Sequence, residues 1–197
     1  MVTSVRRALY RARFGILTMA AACLLGLGAG AVMVHSGNRF ALDYMDRLVA
    51  QAHDTSPISK AMKRGNRGTA AALDAGGNLI GAVATSLAGY WAPGAYLIAL
   101  HKGWIGGIVS VDRKHRSRLV GAEAAYYLPT LLLQLIPYIL AGGAGVNLGL
   151  ARVRPVGDYS GPQFLGVPQE AIRDAGRIYL LVVPLFAVAS AFEFFLR

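Results

Sequence analysis

Charged side chains are scarce in this sequence, and most of those present are basic. Asp, Glu, Lys and Arg make up 15% of the 197 residues, and 20 basic residues stand against 10 acidic ones. Soluble domains use about 25% charged residues, so this composition argues against a soluble domain. The net charge of +10 would suit nucleic acid, but the sequence holds no nucleic-acid recognition motif. The basic residues lie beside apolar runs, which favours anionic lipid head groups as their partners.

Cysteine is nearly absent, and so are the motifs of common enzyme classes. Cys23 is the only cysteine, which excludes an intrachain disulfide. Residues Met19–Cys23 loosely resemble a lipoprotein cleavage site, but the chain stays apolar to Val34, so we interpret Cys23 as a small buried side chain. The motifs HExxH and GxSxG and a phosphate-binding loop are missing, and the four histidines are too scattered to form a metal set. We therefore predict a protein that is not an enzyme and binds no cofactor or metal.

Long apolar runs dominate the chain instead. Between Leu119 and Ala151 there is one charged side chain, Glu123. An α-helix rises about 1.5 Å per residue, so about 20 apolar residues cross the hydrocarbon core of a bilayer. The chain as a whole is 55% hydrophobic, with a mean hydropathy of +0.45. These features predict an integral membrane protein.

Five segments are predicted to span the membrane, within a single integral membrane domain over residues 1–197. The second and third are shorter and more polar, so a half-helix or a re-entrant segment remains an alternative for each. The basic start and first apolar run also fit a secretory signal peptide, but their length favours an uncleaved span. The predicted spans are 14–34, 68–90, 95–111, 119–150 and 178–196.

The other segments complete an all-α polytopic helical bundle. Residues Asn38–Ala52 carry apolar side chains at helical spacing, which predicts an amphipathic helix that either lies in the membrane interface or covers the bundle. Pro129 and Pro137 are expected to kink the fourth span or to end a helix within it. Pro168 suits the first turn of the last helix. We predict a cytoplasmic N-terminus, although this orientation leaves more basic residues outside than inside.

Polar side chains inside the predicted spans are the candidates for a functional site. A charge near the bilayer centre costs at least about 2.5–3.5 kcal/mol, so such residues pair, line water or reach the interface. We expect Asp74 to pair with Lys102, because the turn Trp91–Gly94 folds their segments into a hairpin. A clamp between helices is the leading interpretation, and a proton, ion or substrate path and snorkelling to the head groups are the alternatives. The candidates are Asp74, Asn78, His101, Lys102, Glu123, Gln134, Asn147 and Glu193.

Glycine pairs at i, i+4 spacing recur in four different segments. Such a pair leaves a groove in which another helix backbone approaches closely, and this packing drives helix association in lipid. Packing within the bundle is the leading interpretation, and a homo-oligomer interface is the alternative. The pairs are Gly26/Gly30, Gly77/Gly81, Gly103/Gly107 and Gly145/Gly149.

Three stretches of the second half carry a resemblance to a known family. They are Lys102–Gly107 (KGWIGG), Pro129–Pro137 (PTLLLQLIP) with the following Ala141–Gly149 (AGGAGVNLG), and Ala187–Phe195 (AVASAFEFF). Together they resemble the stage II sporulation protein M family of small integral membrane proteins, over roughly residues 66–197. The resemblance implies a membrane component of a multiprotein assembly, which in sporulating bacteria organises peptidoglycan remodelling and in other bacteria is a general envelope component.

The sequence departs from the family pattern at several positions. Thr130 and Leu131 replace a His-Gly pair, Gln134 stands where a Glu is usual, and Lys102 stands where an Asn is usual. The resemblance places the late acidic residue of the family at Glu193. If the family site needs an ionisable pair, this chain lacks that version of it.

The sequence therefore predicts a non-enzymatic scaffold or assembly subunit of the bacterial cytoplasmic (inner) membrane. It would recruit other membrane proteins through glycine-lined helix faces and through its basic loops. The first alternative is a transporter or channel subunit in which Asp74, Asn78, His101 and Lys102 line a polar path. The second is a lipid-interacting, membrane-shaping protein that uses Asn38–Ala52.

Overall fold

The protein is almost entirely helical. The computed structural model describes residues 2–54, 56–91, 93–112, 117–121, 123–153, 159 and 162–195, except for the side chains of residues 2, 3 and 52–54. One two-stranded antiparallel hairpin interrupts the helices. In chain order the elements are α1 Val2–His35, α2 Arg39–Asp54, α3 Pro57–Lys63, α4 Arg67–Tyr90, α5 Pro93–Val109, α6 Ala124–Val153, β1 Gln163–Phe164, β2 Val167–Pro168 and α7 Gln169–Phe195.

Three of these helices, α1, α6 and α7, are long and apolar enough to cross a membrane. They contain the first predicted span and most of the fourth and fifth, so the prediction of an all-α membrane protein is confirmed. The second and third predicted spans are also helices, α4 with 24 residues and α5 with 17. The count of five spans remains a prediction.

The contacts between helices define the direction of each. Gly103 lies against Cys23 and Gly107 against Leu27, so α5 runs parallel to α1. Gly145 lies against Ser86 and Gly149 against Gly89, so α6 runs parallel to α4. Gln134 contacts Glu193 whereas the later Tyr138 contacts Phe186, so α6 and α7 are antiparallel. We call the end of the bundle that holds the N-terminus of α1 the proximal end, and the opposite end the distal end.

Apolar side chains fill the middle of the bundle. Phe186, Val182 and Ile178 of α7 are fully buried and pack against Tyr138 of α6 and Ala82 of α4. Small side chains of α1 and α6 close around them, which lets the backbones approach closely. The other members of this core are Ala8, Ala12, Ala141 and Ala144.

The amphipathic helix α2 covers the distal end of the bundle. Its Ala41 and Met45 are buried against Val34 of α1 and Ile108 of α5. The prediction of an amphipathic helix is confirmed, and of the two placements left open the structure has the one on the bundle. Phe40 of α2 also contacts α5: its ring stacks on Trp104 with centroids 5.8 Å apart, although it stays 65% exposed.

Glycine notches join α1 to α5 and α4 to α6. A methyl group added at Gly26 or Gly30 would overlap the backbone of α5, and one at Gly103 or Gly107 would overlap the backbone of α1. At Gly145 and Gly149 the α4 backbone at Ser86 and Gly89–Tyr90 lies in the way. The two faces interlock because neither has a Cβ to hold the backbones apart.

The pair Gly77/Gly81 differs from the expected packing role. Gly81 faces the phenol of Tyr138, so it accommodates a side chain rather than a backbone. Among the described residues, nothing beyond the adjoining α4 backbone lies within 4 Å of where a Cβ of Gly77 would stand, and Gly77 lies on the outer face of α4. Gly77 has the same spacing to a second glycine as the other pairs, but no other helix of the described residues packs against it.

Local structure corrects the proline predictions. Helix α6 continues through Pro129 and Pro137, so neither proline ends it. Pro168 belongs to β2, and α7 begins one residue later. The short helix α3 was not predicted, although its start has a clear signal: the Ser56 hydroxyl accepts a hydrogen bond from the Ser59 amide and a proline follows the cap.

The region expected as a loop after α6 contains the hairpin β1–β2. Leu165 and Gly166 form its two-residue turn, both with positive φ. Residues 154–158 and 160–161 of the same loop lie outside the described residues. So does most of the basic loop expected at Asp112–Arg118, whose two described ends meet in a bridge between Val111 and Ser117.

Candidate functional site

A chain of hydrogen bonds connects four helices in the distal half of the bundle. Asp74 of α4 accepts from the Ser190 hydroxyl of α7 at 2.6 Å and from the Asn78 amide at 3.1 Å. Asn78 Oδ1 accepts from Tyr138 Oη of α6 at 3.0 Å, and Tyr138 Oη accepts from Lys102 Nζ of α5 at 3.3 Å. Asp74 and Asn78 reach one another because residues four apart share a face of a helix.

The expected ion pair between Asp74 and Lys102 is replaced by this chain. Tyr138 and Asn78 lie between the two charges, and no ion pair joins them among the described residues. The Lys102 ammonium instead lies 4.6 Å from the centre of the Tyr138 ring, a cation–π contact. The sequence indicated correctly that α4 and α5 are neighbours, but α6 inserts a phenol between their polar side chains.

A cavity of about 620 Å³ opens beside this chain, between α5 and α6. Its volume falls within the range of about 300–1,000 Å³ that is typical of small-molecule sites. Lys102 and Gln134 contribute polar groups, and Ile105 and Leu135 contribute apolar ones. The complete lining is Asn78, Lys102, Ile105, Gly106, Val109, Arg118, Glu123, Tyr126, Tyr127, Thr130, Leu131, Gln134, Leu135, Tyr138 and Glu193.

The acidic groups of the cavity differ in their surroundings. Gln134 Nε2 donates to Glu193 Oε2 at 2.7 Å, which joins α6 to α7. Glu123 is exposed and precedes the first residue of α6, so it belongs to the mouth of the cavity rather than to a span. Tyr126 stacks on Phe192 at 5.5 Å, and its buried hydroxyl has no hydrogen-bond partner among the described residues. Tyr126 and the neighbouring Tyr127 both line the cavity.

Two predicted candidates lie away from the cavity. His101 is exposed on the opposite side of α5, where its Nε2 is 3.4 Å from Tyr44 Oη and its ring stacks near Trp104. Asn147 is buried near the proximal end and donates to Tyr159 Oη at 2.8 Å. Asp74, Asn78, His101 and Lys102 thus do not line one common path.

A second polar cluster ties α1 to α7 at the proximal end. Asp174 is fully buried and lies between Arg177 at 2.6 Å and Arg11 at 3.1 Å. Arg11 also contacts Glu170 at 2.8 Å and lies 4.9 Å from the centre of the Tyr159 ring. Burial raises the pKa of the Tyr159 phenol, and the nearby Asp174 carboxylate adds to this effect, while the hydrogen bond with Asn147 opposes it.

Sequence reasoning missed this proximal cluster. In the sequence, Arg11 lies ahead of the first predicted span and Asp174 lies before the last one, and no local pattern links them. The local signal is the spacing of Glu170, Asp174 and Arg177, which puts the two acids and one base on one face of α7. Nothing local indicates that Arg11, 163 positions earlier, is the partner.

The apolar core separates the two polar regions. Tyr138 and Phe186 meet edge to face, with ring centroids 5.1 Å apart, and Val182 and Ile178 continue toward the proximal end. These α7 side chains are at most 1% exposed. The distal cavity therefore ends on packed hydrocarbon and does not reach the Arg11 cluster.

Comparison with known proteins identifies the family. The family model of Stage II sporulation protein M matches residues 16–196, which includes most of α1 and all of α2 as well as the later stretches that carry the resemblance. Neither a curated protein nor a solved structure gives a significant match. Because the match covers nearly the whole chain, this protein belongs to the stage II sporulation protein M family.

Proposed function

We propose that this protein is a non-enzymatic multi-pass subunit of a protein assembly in the bacterial cytoplasmic membrane. Family membership supports the membrane role. The observation that carries the proposal is that most of the polar side chains inside the bundle tie its own helices together. Such fixed contacts suit a rigid structural part better than a reaction centre.

Polar contacts tie α1, α4 and α7 to one another in three places. Ser190 of α7 holds Asp74 of α4, and Ser86 of α4 lies 2.7 Å from Tyr179 of α7. Arg11 joins α1 to α7 through Asp174. A hydrogen bond between membrane helices contributes about 0.6 kcal/mol on average, so these contacts fix register more than they supply stability. Lys102 of α5 is less firmly held than these groups, because among the described residues its ammonium donates only to the phenol of Tyr138.

We further propose that α4 and α5 cross the bilayer together with α1, α6 and α7. Helix α4 packs along α6, and α5 along α1, through the glycine notches at Gly89–Gly145 and Cys23–Gly103. Each therefore shares the depth of a helix that is long and apolar enough to span. The 17 residues of α5 extend about 26 Å, close to the hydrocarbon thickness of about 30 Å.

The tip of the α4–α5 hairpin tests the span count. In a Cys23→Ala background, single cysteines replace Trp91 at the tip, Phe164 in the hairpin β1–β2, and Met62 in α3, all of which are exposed. A membrane-impermeant maleimide is applied to intact cells and to inverted vesicles. With five spans Trp91→Cys is labelled from the same side as Phe164→Cys and from the side opposite to Met62→Cys. Labelling of Trp91→Cys from the side of Met62→Cys would mean that only α1, α6 and α7 cross.

The outer face of α4 is where we propose that a partner helix docks. Of the predicted glycine positions, Gly77 is the one that this chain leaves unfilled, and Leu73 and Ile80 beside it are exposed. A glycine surrounded by larger apolar side chains lets a helix of another membrane protein approach. The glycine notches at the other positions are already filled from within the chain.

Isolation of the protein from its native membrane in mild detergent tests this role. The wild-type protein should bring a membrane protein with it in a fixed ratio, and Gly77→Leu should reduce that ratio without changing the amount of folded protein. Ala187→Leu on the exposed face of α7 is the matched control and should retain the partner. A wild-type protein that travels alone, or equal retention in both variants, would overturn the proposal.

A transporter subunit is the second candidate, and the distal cavity is the observation that favours it. The apolar layer around Phe186 argues against a continuous path in this conformation. Proton transport by this protein can be tested in reconstituted vesicles loaded with a pH-sensitive dye. If proton flux does not exceed that of empty vesicles, and Asp74→Asn changes nothing, the proton path is excluded.

A further inference from the structure

The charge of Lys102 lies inside the bundle without an ion-pair partner among the described residues. Lys102 lies in the middle of α5, about 10 Å from its nearer end. Its ammonium donates to one neutral phenol, that of Tyr138, and no carboxylate of the described residues lies within ion-pair distance. A cation at such depth requires an anion or water beside it. The space beside it is the distal cavity.

The lining of the cavity has two different sides. Next to Lys102 are hydrogen-bonding groups, namely the amides of Asn78 and Gln134 and the phenol of Tyr138. The rest of the lining includes four branched apolar side chains. These are Ile105, Val109, Leu131 and Leu135. A ligand that satisfies both sides combines an anionic group with a hydrocarbon chain.

The other charges of the cavity agree with an anionic ligand. Gln134 already donates to Glu193 at 2.7 Å, so this carboxylate is engaged by the protein itself. Glu123 is exposed at the mouth, where water screens it, and Arg118 lies there as well. Of the two cations in the lining, Lys102 is therefore the one that lies away from the mouth, and its hydrogen-bond acceptor is a neutral phenol.

We propose that the distal cavity binds an anionic amphiphile, with its phosphate or carboxylate on Lys102 and its hydrocarbon chain against the wall formed by α5 and α6. The volume of about 620 Å³ accommodates a head group and part of one chain. The ligand neutralises the ammonium at a depth where water alone does so poorly. This binding site goes beyond the proposed assembly role and does not depend on it.

Binding measurements on the full-length protein in a neutral maltoside detergent test the ligand class. Dodecyl phosphate and dodecanoate should bind, whereas inorganic phosphate should bind at least about tenfold more weakly because it leaves the apolar wall unused. Dodecyltrimethylammonium has the same chain with the opposite charge and should not compete. Native mass spectrometry of protein transferred from phosphatidylglycerol and from phosphatidylcholine nanodiscs shows whether a bilayer phospholipid is one source. Retention of phosphatidylglycerol alone is expected.

Four variants locate the binding. Lys102→Gln should weaken dodecyl phosphate binding at least about tenfold, the effect of losing one charge-assisted hydrogen bond, and Lys102→Arg should retain it. Leu135→Trp keeps the charge but fills the cavity, and should also abolish binding. Lys63→Gln on the exposed surface of α3 removes the same charge elsewhere and should have no effect. Equal binding in all variants, or equal affinity for the cationic amphiphile, would overturn the assignment.

Discussion

The interlock between α1 and α5 makes a quantitative prediction through Gly103→Ala. Gly103 presses on the Cys23 backbone, and an added methyl group would overlap the Cys23 carbonyl oxygen. The two backbones would have to separate, which also loosens the neighbouring contact between Gly107 and Leu27. We expect Gly103→Ala to destabilise the folded protein.

The magnitude follows from comparison with Gly77→Ala. Both substitutions replace a helical glycine by alanine and therefore gain the same helix propensity, about 0.5–1 kcal/mol. Gly77 faces open space, so only this gain remains there. Overpacking costs about 1–3 kcal/mol, and the upper value applies at Gly103 because the atom that is met belongs to backbone. The free energy of unfolding of the two variants should therefore differ by about 3 kcal/mol, with Gly77→Ala slightly above wild type.

Reversible unfolding in mixed micelles, driven by an increasing fraction of dodecyl sulfate and followed by circular dichroism, measures this difference. Because both variants share the propensity term, the difference between them isolates the packing term. If Gly103→Ala is as stable as Gly77→Ala, the close contact between α1 and α5 does not exist in the folded protein, and the bundle described above is wrong at its first helix.

The remaining predictions concern the ends of the bundle and can be measured by the same unfolding assay. Asp174→Asn leaves two arginines without their shared buried carboxylate and should cost about 3 kcal/mol, and a cost below that of Arg177→Gln would contradict the central place of Asp174. Tyr159→Phe leaves the buried Asn147 amide without its acceptor and should cost about 1–2 kcal/mol, with no change if water replaces the phenol. Met45→Ala should cost about 2–3 kcal/mol, and Phe40→Ala should cost less because its ring stacks on Trp104 but stays largely exposed; the reverse order would contradict the burial of Met45 against the bundle.

The positions of the helices could be predicted because their signals are local. Each of the five apolar runs became a helix, and the periodicity of Asn38–Ala52 indicated α2 to within two residues at either end. At Pro129 and Pro137 a helix end is excluded because α6 continues past both prolines, and the alternative of a kink stays a prediction. In a membrane bundle neighbouring helices re-satisfy the carbonyl groups that a proline frees.

The contacts of the site could not be predicted because they depend on which helices are neighbours. Asp74 and Lys102 were singled out as intramembrane charges, and both belong to the distal network, but Tyr138 had no local feature that would place it between them. Gly77 and Gly103 have the same spacing to a second glycine, yet one faces open space and the other a backbone. The i, i+4 spacing places two glycines on one face of a helix, but it does not determine which neighbouring helix, if any, packs against that face.

The pairing of α1 with α5 imposes an order on biosynthesis. Helix α1 leaves the ribosome first, but its mate, about eighty residues later in the chain, follows only after α4. At about 5–20 residues per second, α1 waits about 4–16 seconds before that mate is made. During this interval its grooved side at Gly26 and Gly30 is bare, and whatever accompanies the nascent chain in the membrane must keep that side from joining a wrong helix.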